Sequence, residues 1–416
     1  MKKLIAPIIL VSFFLLVTGC GTGNKPGSLE ISSDVDFSKD DYKKVIPFNN
    51  KLGLELLSEV EADGNGNTFI SPMSLFMALS MIYNGADGVT KTEIAKVLQN
   101  EGMDVTELNK ANASMMSKLH SNSKQIQLNV ANSIWLNENF HFQTDFAQNN
   151  RDYFNAKIQE IDIADSQSPK KINDWVKKST NDKIEKIVDA PLDPDLVAIL
   201  INAIYFKGDW KYEFEKKQTK QRTFYLKDGT TKDVPLMTLN EKLAYMENED
   251  FQAVSLPYGD GKMSMKVFLP KENSSLEKFK KMLTNENWKK WNSEFNEKEG
   301  TILLPKFHLK YEVLMNEPLK RLGMTTAFAE DANFTKMIKE SDPLWISKVK
   351  QKTFIDVNEE GTEAAGATSV GMATTSAPED GPFQMEVNRP FFFAITDDET
   401  GMVLFMGSIS NPQEKK

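Results

Sequence analysis

Leu196 to Phe206 reads LVAILINAIYF, eleven residues in which Asn202 is the one strongly polar side chain. A half-buried strand alternates apolar and polar positions. This run does not, so as a strand it must be covered on both faces. With 416 residues, 40% of them hydrophobic, the chain has material for a core that large.

The patterns on either side give the class. Phe48, Leu52, Leu56 and Val60 fall at helical spacing and predict a helix opening the folded body. Ser71 and Pro72 suit the cap and first residue of a helix over Met73–Tyr83, apolar nearly all round and ended by Asn84-Gly85. Thr90 to Glu93 has capping-box spacing and predicts another helix through Leu98. Strand patterns follow: Ile126–Leu136, the central run, Phe251–Tyr258 and Met263–Leu269 around Gly259-Asp-Gly261, Thr301–Leu304, Phe307–Val313, Thr353–Val357, and Phe391–Thr396 with Met402–Met406. Helices dominate early and strands late, without strand–helix–strand alternation. The expectation is α+β, one large domain, with no internal repeat.

Several chemistries find no residues to carry them. There is no G-x-S-x-G elbow, Walker loop, HExxH or CxxC. His120, His141 and His308 lack ligand spacing, and Asp63-Gly-Asn-Gly-Asn67 lacks the glycine and glutamate of a calcium loop and reads as a polar turn. No metal or other cofactor is expected. Net charge is −9, with lysines interleaved among acids, which argues against a nucleic-acid partner.

The first residues differ from the rest. Lys2-Lys3 precede a short apolar run, Leu4–Val17, ended by Val17-Thr-Gly-Cys20. This fits a signal peptide over 1–19. It is similar to a bacterial lipobox, which would make Cys20, the sole cysteine, the lipid-bearing first residue of the mature protein. A plain secretory signal cut near Gly19 is the other reading. Residues 20–41 read as a flexible tether, reaching about 25 Å as coil.

The remaining feature is Thr362–Ala377, TEAAGATSVGMATTSA, between two apolar strand-like segments. Nine of its sixteen residues are Ala, Gly or Ser, and Glu363 is the single charge. Taken as a strand, one face is Thr362, Ala364, Gly366, Thr368, Val370, Met372 and Thr374, with no charge; Glu363 begins the other. Two readings stand. A flexible surface loop accounts for the composition. A segment exposed in one state and a central strand in another accounts also for the charge-free face, since a charge there would be costly.

From about Tyr42 to Pro412 the chain closely resembles the serpins. The resemblance rests on Asn67-Thr-Phe-Ile-Ser-Pro-Met-Ser74, on Ile172-Asn-Asp-Trp-Val176 with Thr180 and Lys183-Ile184, and on Ile201–Trp210. Leu304-Pro-Lys-Phe307, Leu322-Gly-Met324 with Ala327-Phe328, Asn388-Arg-Pro-Phe391 and Phe405-Met-Gly407 follow in family order. Glu359-Glu-Gly-Thr-Glu-Ala-Ala-Gly-Ala367 is similar to the hinge of inhibitory members.

The resemblance implies a serpin domain over 42–413, with three β-sheets, eight or nine helices and an exposed reactive-centre loop at about 359–387. It implies a monomeric, irreversible suicide-substrate inhibitor of serine proteases, with cysteine proteases as a second target class. It implies no enzyme activity. Its hinge would comprise Glu359, Gly361, Thr362, Glu363, Ala364, Ala365, Gly366 and Ala367. The reactive bond would join Thr375 to Ser376, with Met372 or Thr374 as alternative specificity residues. Small or apolar residues there point to elastase- or subtilisin-like targets. Sheet opening would be controlled around Ser71, Ser74, Asn202, Trp210 and Gln351, the last standing where many relatives carry histidine. A non-inhibitory carrier or chaperone is the alternative. The protein is expected to be exported and held to a membrane or cell surface by its lipid.

Overall fold

The computed structural model describes residues 31–119, 125–362 and 381–414. The first half carries α1 (Ile46–Glu59), β1 (Thr68–Ile70), α2 (Pro72–Tyr83), α3 (Gly88–Leu98), α4 (Val105–Leu119), β2 (Ile126–Asn137), α5 (Thr144–Phe154), β3 (Lys157–Ile161) and α6 (Ser168–Ser179). Sheet dominates next, with β4 (Ala198–Asp209), β5 (Lys220–Tyr225), β6 (Thr231–Glu247), β7 (Phe251–Tyr258) and β8 (Met263–Pro270). The chain continues through α7 (Leu276–Met282), α8 (Asn285–Glu294), β9 (Asn296–Pro305), β10 (Phe307–Leu314) and α9 (Asn316–Arg321). It closes with β11 (Lys348–Val357), β12 (Gly361–Thr362), β13 (Phe383–Glu386), β14 (Phe391–Asp397) and β15 (Met402–Ile409). The fold is α+β as expected, with nine α-helices among the described residues.

One sheet runs β10-β11-β12-β4-β2-β3, with β11 also pairing β4 directly. The other strands form one nine-stranded ladder, β1-β15-β14-β8-β7-β6-β9-β13, with β5 on β6. The long β6 joins its two parts: Ala244–Glu247 pair with β7, whereas Leu236–Tyr245 pair with β9 and Thr231–Leu236 with β5.

β4 is covered on both faces, as its composition requires. Leu200, Ile204 and Phe206 join the main core, which includes all the apolar side chains of α2. Ile199, Ile201 and Ala203 pack in a second core with Ile172 and Val176 of α6. α2 starts as read: the Ser71 hydroxyl accepts from the Ser74 amide (3.3 Å), and Pro72 needs no amide partner in the first turn. α3 does not. It begins at Gly88, two residues before the expected cap, and the Thr90 hydroxyl instead accepts from the Asn333 amide. Glu93 turns outward and accepts from the amides of Thr325 (2.8 Å) and Thr326 (2.7 Å), a tertiary use that displaces the capping box.

Both described ends of the stretch expected as an exposed loop, 359–387, are held in sheets. Gly361–Thr362 are buried in β12, and Phe383–Glu386 form β13 beside β9. The reason is local: Phe383, Met385 and Val387 alternate and are buried.

Candidate functional site

β4 and β11 run parallel and paired from Ile199/Lys348 to Tyr205/Phe354. Beyond that point they part, and β12 lies between them, antiparallel to both. Thr362 stands opposite Gly208 of β4 and opposite Val357 of β11, and Gly361 stands opposite Asp209. The sheet is therefore closed along one stretch and already holds two residues of a further strand at its end.

A turn puts them there. Asn358 and Gly361 exchange backbone hydrogen bonds (2.9 and 3.3 Å), and the Asn358 side chain accepts from the Glu360 amide (3.0 Å). Asn first and Gly fourth are favoured turn residues. Gly361 is also required by proximity, because a Cβ there would lie 2.2 Å from the Gly208 carbonyl oxygen and 2.7 Å from Asp209 Cα.

Thr362 is fully buried, its hydroxyl 2.6 Å from the Tyr258 hydroxyl. Burial pushes the Tyr258 phenol far up, against the opposing effect of the Thr362 bond. The Tyr258 ring stacks on Trp210 at 4.4 Å. Trp210 donates from its indole to the Asn358 carbonyl and from its amide to the Glu360 carbonyl, both 2.9 Å. The Phe214 amide donates to the Glu359 carbonyl. Glu359 is buried, with Lys306 at 2.9 Å and the Thr219 hydroxyl donating at 2.9 Å. Burial alone would raise its carboxyl; the Lys306 and Thr219 bonds outweigh that and hold it below the ordinary glutamate range. Glu360 pairs with Lys216.

A second polar group occupies the middle of the closed ladder, where Gln351 stands opposite Asn202. The Gln351 side chain accepts from the Ser71 amide (3.0 Å) and donates to the Ser71 carbonyl (3.0 Å) and to Asn202 Oδ1 (2.6 Å). Asn202 in turn donates to Asn132 Oδ1 (2.6 Å) and to the Ser74 hydroxyl. All five residues are essentially solvent-free. Gln351 makes three bonds without carrying a titratable ring, so the position does not respond to pH as a histidine would.

The outer face is strapped. Asn173 of α6 accepts from the amides of Ile187 (2.8 Å) and Val188 (3.0 Å), and Thr180 accepts from the Ile184 amide (3.1 Å). Those side chains hold segment 184–188 against α6. Lys350 and Lys352 of β11 donate to its Ile187 and Lys186 carbonyls, each at 2.7 Å.

The structure thus brings Ser71, Ser74, Asn202 and Gln351 together. Trp210 is not with them. It lies eight residues further on, about 26 Å along an extended chain, and belongs to the hinge end with Glu359, Gly361 and Thr362. Glu363, Ala364, Ala365, Gly366, Ala367, Met372, Thr374, Thr375 and Ser376 lie outside the described residues, as does Cys20.

Comparison with known proteins matches the serpin (serine protease inhibitor) family over residues 47–412. The chain belongs to the serpin family. Iripin-2 of Ixodes ricinus is 33% identical over 374 residues, covering 88% of this chain and 93% of that protein. A serpin-like protein of the archaeon Methanosarcina acetivorans is 31% identical over 376 residues, covering 88% and 86%. The native structure of the thermophilic serpin tengpin superposes with a TM-score of 0.82 at 34% identity, over 93% of this chain and 97% of that one.

This serpin's site contains residues that reading the sequence missed: Asn132, Lys216, Thr219, Tyr258 and Lys306. Lys306 sat inside a quoted motif, Leu304-Pro-Lys-Phe307, yet its partner Glu359 is 53 residues away. Tyr258 ended a strand already recognised, but nothing local marks it as the partner of Thr362.

Proposed function

We propose that this serpin is an irreversible suicide-substrate inhibitor of serine proteases. One observation supports it above others, the agreement of two registers. Carrying β12 onward along β4 from Thr362/Gly208 sets Thr368 opposite Asn202. Carrying it along β11 from Thr362/Val357 sets Thr368 opposite Gln351. Asn202 and Gln351 are themselves opposite each other in the closed ladder. A strand continuing from Thr362 therefore fits between β4 and β11 without slipping against either.

In this reading the protease serine attacks the Thr375 carbonyl, and the bond to Ser376 breaks to leave an acyl-enzyme. The freed segment then enters between β4 and β11. One parallel ladder is exchanged for two antiparallel ones, a gain of roughly 0.5–1.5 kcal/mol per additional hydrogen bond, with side-chain burial besides. The even-numbered face that turns inward carries no charge, and Glu363 falls opposite Lys207 on the outer face. Insertion carries the tethered enzyme away before water can deacylate it. Met372 or Thr374 are the alternative specificity residues, small-pocket elastase- or subtilisin-like enzymes the favoured targets, and cysteine proteases a second class. A carrier or chaperone role is disfavoured by the small residues from Ala364 to Ala367. We assign the chain no catalytic reaction of its own, and read it as a monomer over 42–413, exported and tethered through Cys20.

The test is incubation with a panel of proteases. An SDS-stable complex, with a released fragment beginning at Ser376, supports the reading. Cleavage at that bond by every enzyme without any stable complex sinks it.

A further inference from the structure

Resting on the reactive-loop reading, we propose that β5 and the turn before it form a second contact surface for the target protease, favouring enzymes whose surface beside the cleft is acidic. Lys216 to Arg222 reads KKQTKQR, four cations and no carboxylate, in a chain whose net charge is −9. Most lysines of the chain stand near acids; these seven residues hold no acid.

Position gives the patch its meaning. At one end Lys216 pairs with Glu360 and Thr219 bonds Glu359, at the root where the candidate loop begins. At the other, the Tyr225 amide donates to the Asn388 carbonyl (2.8 Å), and Arg222 lies 3.8 Å from Glu386, where the loop ends. The segment thus runs from one root of the loop to the other. A protease acting between Thr362 and Gly381 would work on chain whose two flanks both contact this segment.

The segment is also available. Among the described residues β5 pairs with β6 alone, and of its six residues Phe224 is the one buried. Tyr225 is 53% exposed. Among the described residues no carboxylate lies within ion-pair distance of Lys217 or Lys220. Charges at an interface rim act chiefly on association rate and its salt dependence. Lysines on an edge strand also discourage edge-to-edge pairing, and that role alone would leave protease association untouched.

The experiment reverses the charge in the full chain, Lys217→Glu with Lys220→Glu. The second-order rate of loop cleavage or complex formation is measured from low to high salt, with loop-cleaving proteases of acidic and of basic surface. With acidic enzymes the wild-type rate should fall as salt rises. The variant should be at least about tenfold slower at low salt and lose most of that salt dependence, with the cleaved bond and stoichiometry unchanged. Basic enzymes should show no loss. Lys281→Glu with Lys289→Glu, on α7 and α8, should leave every rate unchanged. A Lys217/Lys220 variant within twofold of wild type on acidic enzymes at low salt overturns the proposal. So does equal slowing on acidic and basic enzymes. Because cleavage counts as well as complex formation, these outcomes remain readable even if no stable complex forms and the inhibitory reading fails.

Discussion

Replacing Thr362 with arginine tests the insertion reading at its first step. The side chain is fully buried against the Tyr258 hydroxyl, and Phe206 and Tyr258 crowd the adjoining face of Gly208. No carboxylate bonds Thr362 there. An unpaired cation in such a place costs several kcal/mol even after relaxation and water entry. In the native state that cost falls on β12, which the variant can avoid by withdrawing Thr362 from the slot. During insertion it cannot be avoided, because every later residue enters behind this one. A penalty of about 3 kcal/mol on that barrier slows insertion on the order of a hundredfold, while deacylation keeps its rate. An inhibitor that loses roughly one molecule in a hundred to hydrolysis would then lose about half. Glu363→Arg is the control. Carried onward from Thr362, the β12 register would put its side chain on the outer face opposite Lys207, where like-charge repulsion is worth at most about 1 kcal/mol. Titration of protease activity gives the stoichiometry for both, and sequencing of the released fragment confirms the same bond. Thr362→Arg should behave as substrate and Glu363→Arg as inhibitor. Equal loss in the two, or full inhibition by Thr362→Arg, refutes the face assignment and the insertion argued from it.

Thr375→Arg should create inhibition of trypsin and weaken that of elastase; a complex whose released fragment begins after Met372 or Thr374 would show the reactive bond to be misplaced. Gln351→Ala strips partners from the Ser71 amide and carbonyl and from Asn202, each at about 1–3 kcal/mol if left buried and unpaired. The variant's melting temperature should drop by several degrees, and an unchanged value would contradict the network. Glu359 is held below its ordinary pKa, so its contribution to stability is present above pH 4.5 and fades as pH falls through the depressed folded value. Glu359→Gln should therefore melt lower than wild type at neutral pH, with the gap closing in acid; a gap that is constant with pH would exclude the ion pair as its source. Cys20→Ser should move the protein from membrane to soluble fractions, and unchanged partitioning would end the lipid reading without touching inhibition.

What could be read from the sequence was whatever had a local cause. The cap at Ser71, the doubly covered β4 and the hairpin at Gly259–Gly261 each follow from a few adjacent residues. β9 and β11 proved five residues longer at their starts than expected. Asn296–Glu299 are polar and largely exposed, and the lysines of Lys348–Lys352 alternate with Val349 and Gln351 rather than with a solid apolar set. β5 could not be seen at all, since a strand with a single buried residue, Phe224, has no apolar period to detect. The stretch expected as a hinge stood out by composition, but the anchoring of Glu359–Thr362 could not be read. Thr362 meets Tyr258 across 104 residues and Trp210 meets Asn358 across 148, and such pairings exist only once the sheet has formed.

The one strongly polar residue in LVAILINAIYF has a reason in the same geometry. In the closed sheet Asn202 joins Gln351, Asn132 and Ser74, and a solely apolar replacement would leave those groups buried and unmatched. Opening the ladder between β4 and β11 separates Asn202 from Gln351, so each would lose a partner unless the incoming strand supplies one. By both registers the residue arriving between them is Thr368, whose hydroxyl can donate to one and accept from the other. A slip of one residue would turn the whole face outward. A slip of two would bring Gly366 or Val370, neither of which has a polar side chain. The polar cluster therefore penalises every register but one, and it does so in the middle of an otherwise apolar slot where packing of small residues would discriminate poorly. On the insertion reading Asn202 and Gln351 would serve two states: they join across the closed sheet, and they would fix the register of a strand entering after cleavage.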